Sequence, residues 1–435
     1  MSTLDTTTNK YKRTELFLVR RFLQENGLNH TLQALEVEAS DALANIDDLI
    51  PSTTRPLVAI LEEHDSWIVQ SSVSQLAMQA HSCDAELETS PAEQNISFES
   101  PPQIYFGIHD ANILCVAAVC LPVSSFPDLP FQTESFAGIL TGSTDQSLRL
   151  SEADSGRVIA VLSHQNSSVL SIAPYPCNNL IVATTGMDGA LHLVNMASQK
   201  VLCSWNDHTK YATCSAFSSN GEWLVSGSYD YTINIYRRNS PDATGSDLGF
   251  TKRNSISFVG TVESICFLPS DLSTAFSTLI VGVRDNHNLL YIDLDDSETF
   301  KVTPVNMNAN GDAWVSFVPV HISPSPSGHH VAVYTDAKAG RIIIYETRTS
   351  RIVRDLWGVD ADGFTQASCC WHPSGKFLFA SSDDKTCLVY HVSSGKVISK
   401  LTGHEGLIRN IAFDNVSNAL VSCSYDRTVR VWKCL

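Results

Sequence analysis

Thr402-Gly403-His404, an apolar strand from Ile408 to Phe413, Ala419-Leu420-Val421-Ser422-Cys423-Ser424-Tyr425-Asp426, and Thr428-Val429-Arg430-Val431-Trp432: this stretch sets the frame for the rest of the chain. It holds a Gly-His start, two apolar strands, a small-residue turn with an Asp, and a Trp six residues after that Asp. The frame recurs upstream. Asp145 leads to Leu148–Ser151, Asp188 to Leu191–Val194, Asp230 to Ile233–Tyr236, Asp285 to Leu289–Tyr291 and Asp384 to Leu388–Tyr390. An irregular copy runs through Val331–Asp336 and Ile342–Tyr345 with about three extra turn residues.

Asp145 to Asp188 is 43 residues, and Asp188 to Asp230 and Asp384 to Asp426 are each 42. A period of about 40–45 residues built from short β-branched segments is that of a four-stranded propeller blade. One blade cannot bury both its faces, and radial stacking buries them and leaves only short edges. The seven copies predict a mainly β fold, a seven-bladed β-propeller over residues 101–435. The last repeat ends at its third strand, so its outer strand must come from elsewhere. Gln103-Ile104-Tyr105-Phe106, followed by Gly107-Ile108-His109, is the expected donor.

The repeat resembles the WD repeat. The resemblance implies a buried hydrogen-bonded tetrad in the last blade, His404, Ser422, Asp426 and Trp432, with Asp426 in a tight turn orienting His404 and the Trp ring packed between blades. A network of this kind stabilises only when every member is satisfied. Tyr236, Tyr291, Tyr345 and Tyr390 stand at the Trp position of other copies, and Ser151 and Val194 are poorer replacements. His164 and His208 share the repeat-start position of His404. Blades 4 to 6 lack a clear Gly-His start and are expected to be the less regular part of the ring.

Residues 14–39 carry apolar side chains at Leu18, Val19, Phe22 and Leu23, then at Leu28, Leu32 and Leu35, around Asn26-Gly27. That is the pattern of two short amphipathic helices. With its Phe-Leu pair, Gly-Leu turn, Thr31 and Glu38 it resembles a LisH motif. A segment of about 30 residues cannot bury its apolar face alone, and the resemblance implies pairing of two chains, a homodimer. The domain reading is residues 1–41 as this α-helical LisH module, 42–80 as a helical extension, 81–100 as an acidic linker, and then the propeller.

The net charge of −17 repels phosphate backbones, so direct nucleic-acid binding is not expected. No apolar run approaches the roughly 20 residues that span a bilayer, and the first residues are polar. The expectation is a soluble chain of the cytoplasm or nucleus with no membrane contact. The twelve cysteines show no CxxC pairing and read as buried reduced thiols. No GxSxG, P-loop, GxGxxG or HExxH motif is present. The repeat His and Asp residues read as structural. No catalytic residue, metal or cofactor is therefore expected, and the chain is not read as an enzyme.

Binding of other proteins is the remaining function class. The residue before each turn Asp faces one rim of the channel: Thr144, Met187, Tyr229, Arg284, Asp383 and Tyr425. Tyr, Met and Arg are enriched at interface hot spots, so Met187, Tyr229, Arg284 and Tyr425 are candidate partner contacts. Insertions at Cys120 to Gly138, Arg237 to Ser255 and Pro269 to Thr278 are expected on the opposite rim, with Phe126 and Phe131 as further candidates. The leading reading is a scaffold or adaptor subunit of a multiprotein complex. One alternative is a ubiquitin-ligase substrate receptor, although no Trp-Asp-x-Arg motif follows a third strand. The other is a propeller hydrolase, which needs convergent His and acidic residues in the channel.

Overall fold

The computed structural model describes residues 96–126, 134–240, 247–269, 276–295, 300–337, 340–360 and 367–435, together with Arg20, Leu23, Thr31 and Leu35. The chain divides into two compact units, residues 1–84 and 85–435. In the first unit the four described residues are helical and Leu23 is buried. The other helix-pairing residues (Leu18, Val19, Phe22, Leu28, Leu32) and the 42–80 extension lie outside the described residues. No helix among the described residues is long and apolar enough to cross a membrane.

The second unit forms seven four-stranded antiparallel sheets, the expected seven-bladed propeller. Blades 1 to 6 span residues 113–162, 169–205, 212–257, 262–306, 319–357 and 369–401, and their strands follow chain order from the innermost outward. Blade 7 takes its three inner strands from residues 408–433 and its outer strand from Gln103–Tyr105. The closing register is Gln103 opposite Val431, Ile104 opposite Arg430 and Tyr105 opposite Val429. A bridge between Phe98 and Cys434 and the bond from Leu435 N–H to Ser97 O extend the same edge. Ile96 and Phe98 also pack on the blade 6–7 core, so the closing edge reaches back into the stretch read as linker.

The core is seven apolar layers, one at each junction between neighbouring blades. This is why second strands such as Trp223–Ser228 and Ala419–Ser424 are buried at every residue. Alternate side chains serve two different layers: Leu224 packs toward blade 2 and Val225 toward blade 4. Such strands read as continuous apolar runs rather than as half-polar alternation.

The expected insertions are partly strand. The first hairpin continues through Cys120 opposite Ala137 to Pro122 opposite Ser135, and the third blade's hairpin through Arg238 opposite Phe250. Phe126 is buried with its ring edge-on to Phe136 at 5.8 Å. It belongs to the core between blades 1 and 2 and is not an exposed contact. Phe131 lies outside the described residues.

Tyr105 is the plug of the closure. Its ring is buried among Ile108, Val429 and Val431, and its hydroxyl donates to the Ala153 carbonyl. Gly156, at φ +71°, leaves room for the ring, since a Cβ there would collide with it. Tyr105→Ala should cost about 3–5 kcal/mol, as for other large-to-small changes of buried aromatics. Urea unfolding would show a lowered midpoint, and limited proteolysis faster cleavage at the chain ends.

Candidate functional site

The turn rim is built alike in all seven blades. Antiparallel order places each second-to-third-strand turn beside the segment entering that blade's inner strand. The backbone N–H groups of Thr144, Met187, Tyr229, Arg284, Asp336, Asp383 and Tyr425 donate to the carbonyls of Asn112, Ser168, Tyr211, Thr261, Val318, Asp360 and Leu407. The six positions expected at the rim are there. Asp336 is the seventh, which the irregular turn of its blade hid in the sequence.

Below this rim the last blade holds the tetrad. His404 Nδ1 lies 2.8 Å from Asp426, and His404 Nε2 2.8 Å from Ser422 Oγ. Trp432 Nε1 donates to Ser422 Oγ at 3.0 Å. One tautomer satisfies the whole chain: neutral His404 donates from Nδ1 to the carboxylate and accepts the Ser422 proton at Nε2. Asp426 also accepts from the N–H groups of Glu405 and Thr428 and from the Thr428 hydroxyl. Burial alone would raise its pKa, but the bonds from His404 and Thr428 outweigh it and hold the carboxyl well below the usual range. Burial lowers the His404 pKa against the pull of Asp426, which keeps the ring in the neutral form the network needs.

Blade 3 repeats the arrangement with His208, Ser226 and Asp230. There Tyr236 sends its hydroxyl to Asp207 at 2.9 Å. Blade 1 also has a full His–Thr–Asp set, His109, Thr141 and Asp145. Its Gly107-Ile108-His109 start was legible but read only as the lead-in to the first blade.

Two repeat assignments fail by one residue. His208 and His404 stand four residues before their inner strands, and in blade 2 that position belongs to Gln165, not His164. Gln165 is buried and donates to Thr184. His164 also reaches Thr184, with Nε2 2.9 Å from Oγ1, but its Nδ1 meets no aspartate; its ring lies 5.2 Å from His192, and desolvation lowers its pKa to about 4. In blade 4 the turn is one residue longer, with Asp285 at φ +61°. Tyr291 therefore pairs with Ile280, where the frame of blade 3 pairs Ile235 with Val225. A one-residue slip sends a strand side chain to the opposite face. Tyr291 packs against Val331, Val333 and Tyr345 of blade 5, not toward blade 3 as Tyr236 does toward blade 2. Its hydroxyl is buried with no hydrogen-bond partner among the described residues, and burial pushes its pKa up to about 12.

At the rim surface, Met187 and Tyr425 are exposed, at 38% and 37%. Tyr229 is half-buried, with its ring 6.2 Å from that of Tyr211. Arg284 turns into the channel mouth and donates to Glu263 at 2.7 Å. The inner strands enclose a cavity of about 200 Å³ whose lining includes Thr213, Glu263, His321 and Arg409. His321 lies against Cys369 at 3.5 Å, and burial, then Arg409, lowers its pKa to about 4. Burial raises the thiol pKa of Cys369, Cys387 and Cys423 to about 12, so these cysteines are protonated core residues. Sequence reading missed Trp314. It is 75% exposed on the segment joining blades 4 and 5, residues 307–318, at the same rim.

The family model described as "WD domain, G-beta repeat" matches residues 156–195, 199–237, 364–391 and 395–433. The chain carries WD40 repeats. Each matched WD40 segment but that at 364–391 begins just before the outer strand of one blade and ends in the third strand of the next. This offset is why the ring needs a borrowed strand to close. The first three strands of blade 1, the outer strand of blade 3, and blades 4 and 5 fall outside the matched segments.

Among curated proteins the chain is similar to the "Chromatin assembly factor 1 subunit FAS2 homolog" of Oryza sativa subsp. japonica, 26% identical over 38% of this chain and 33% of the relative. It is similar to the "WD repeat-containing protein 26 homolog" of Arabidopsis thaliana, 23% identical over 68% of this chain and 38% of the relative. It is also similar to "COMPASS component SWD3" of Saccharomyces cerevisiae, 26% identical over 26% of this chain and 33% of the relative. The chain thus spans a third or a little more of the length of these relatives.

The unequal tetrads give a direct comparison. Asp426→Ala strips the partners from a buried ring and two backbone N–H groups and should cost about 2–3 kcal/mol. Asp188 is exposed, and its carboxylate serves the Ala190 N–H. Asp188→Ala should cost under about 1 kcal/mol. Denaturant midpoints of the two variants, measured side by side, check the ranking.

Proposed function

We propose that the protein is a scaffold subunit that binds partner proteins on the turn rim of its WD40 propeller and pairs with a second copy of itself through residues 14–39. The observation that carries the first half is the rim itself. Seven backbone positions are fixed by the same hydrogen bond, and on this base Met187, Tyr229 and Tyr425 share one rim with the exposed indole of Trp314. Exposed aromatics and Met held on a rigid base bind with little ordering cost, which is the makeup of an interface hot spot. Arg284, tied to Glu263, serves to shape the channel mouth as well as to meet a partner.

The relatives' names point the same way. One is called a subunit and another a component of an assembly. One relative, named for chromatin assembly, fits a nuclear site for this chain. The reading carries no cofactor and no chemistry of its own.

Two experiments test the two halves. Tyr229→Ala with Tyr425→Ala and Trp314→Ala in one chain should remove most co-purifying proteins while leaving the melting temperature within a few degrees. Retention of every partner would refute rim binding. In sedimentation, the full chain should run as a dimer and a version lacking residues 1–41 as a monomer. Two monomers would refute the pairing.

A further inference from the structure

The opposite rim holds a feature that the WD40 frame does not require. At the outer lower corner of blade 3, a cavity of about 370 Å³ is lined by Glu222, Arg237, Arg238, Asn239, Thr251 and Arg253. Three arginines around one cavity stand out in a chain with 29 Lys and Arg against 46 Asp and Glu. Arg284–Glu263, Arg341–Asp355, Arg348–Asp293 and Arg351–Glu346 are single arginine–carboxylate pairs elsewhere in the propeller. Among the described lining residues Glu222 is the one carboxylate.

The fold holds Arg237 and Arg238 in place and sets the backbone of Arg253. Arg237 lies 5.3 Å over the ring of buried Trp223, and Arg238 donates to the Tyr175 hydroxyl of blade 2 at 2.8 Å. Arg253 owes its direction to a β-bulge. Asn254 pairs with Ile235 and Lys252 with Tyr236, which leaves Arg253 as the extra residue of the outer strand. A bulge re-aims a side chain in this way. The neighbouring Lys252 points elsewhere and meets Asp207 at 3.6 Å.

We propose that this blade 3 cavity binds a phosphoserine- or phosphothreonine-bearing segment of a protein partner. A phosphomonoester brings about −1.5 to −2 charges and three acceptor oxygens. Forked guanidinium groups match those oxygens in pairs, which lysines cannot do. Stacked and hydrogen-bonded arginines lose little freedom on binding. The cavity lies at the low end of the volumes that ligand pockets occupy, roughly 300–1,000 Å³, which suits one modified side chain and not a polymer. A nucleic acid needs a row of neutralised phosphates, and Glu222 and Asp207 interrupt any such row. The outer strand Phe250–Ser257 is eight residues long, the longest outer strand in the ring, and no described strand pairs along its outer side. Its backbone groups are available to the residues flanking the phosphate.

The test uses the full chain and a fluorescent peptide pool with a fixed central phosphoserine and randomised flanks, alongside the same pool with unmodified serine. Binding of the phosphorylated pool should be at least tenfold tighter and should weaken as salt rises. Arg253→Glu should reduce it at least tenfold, and Arg253→Lys by less. Lys252→Glu, one residue away but outside the cavity, should change it less than threefold. The proposal fails if the two pools bind alike, if Arg253→Glu has no effect, or if Lys252→Glu is as damaging as Arg253→Glu. It fails too if a single-stranded RNA of matched charge binds better than the phosphorylated pool. Circular dichroism of each variant separates lost binding from lost folding. The rim variants with Tyr229 and Tyr425 replaced should keep phosphopeptide affinity, so the two surfaces stand or fall separately.

Discussion

A three-residue ladder between Gln103–Tyr105 and Val429–Val431 turns a row of sheets into a ring. Each blade has two apolar faces, and each face needs a neighbour. In an open row the first and last blades would leave one face each in water, at roughly 25 cal/mol for every Å² of apolar surface. Closure removes both exposures at once. It does so with the cheapest element available, a short outer strand, because the sequence repeat is offset from the blade by one strand. The same offset places the tetrad histidine ahead of its blade, on the segment arriving from the previous outer strand, so His404 and Asp426 tie neighbouring pieces of chain together.

The polar networks are uneven around the ring. Blades 1, 3 and 7 carry a histidine bonded to both a hydroxyl and an aspartate. Blade 2 substitutes Gln165, and blades 4 and 5 rely on apolar layers and on tyrosines such as Tyr345, whose hydroxyl donates to the Met307 carbonyl at 2.8 Å. Both solutions pack a large ring between blades. They differ in how much local turn geometry they dictate, and the blades with weaker dictation are those whose connections have lengthened. The segment carrying Trp314 is one of these, so loss of the tetrad and gain of an exposed indole occur at one junction.

The number of blades, the closing strand and the rim positions were legible because each follows from a period, and a period survives loss of individual residues. What was illegible follows from slips of a single residue. His164 has the residue type of the tetrad, but only the start of the strand at Val169 reveals that Gln165 is in register. Tyr291 keeps the spacing of six from Asp285, yet the longer turn sends it to the other face. Phe126 looked like an exposed loop aromatic because nothing in the sequence said that the hairpin strands run on to Pro122 and Ser135. The arginine cavity was hidden for a similar reason. Arg253 lies fifteen residues beyond Arg238, and only strand pairing and a bulge bring it to the corner of Arg237 and Arg238.

The closing ladder also sets an order of events during synthesis. Gln103–Tyr105 leaves the ribosome before any blade exists, and its partner strand Val429–Lys433 is made only after the strands of the six other blades. Until then the outer strand of the final sheet has no sheet to join, and blade 1 keeps one apolar face bare while six blades are translated. Pairings this distant in sequence form slowly, and unpaired edges of this kind invite association with other chains. The nascent propeller is thus a natural client for chaperones until Val431 emerges, and a message truncated shortly before that codon would yield six finished sheets and a protein unable to seal.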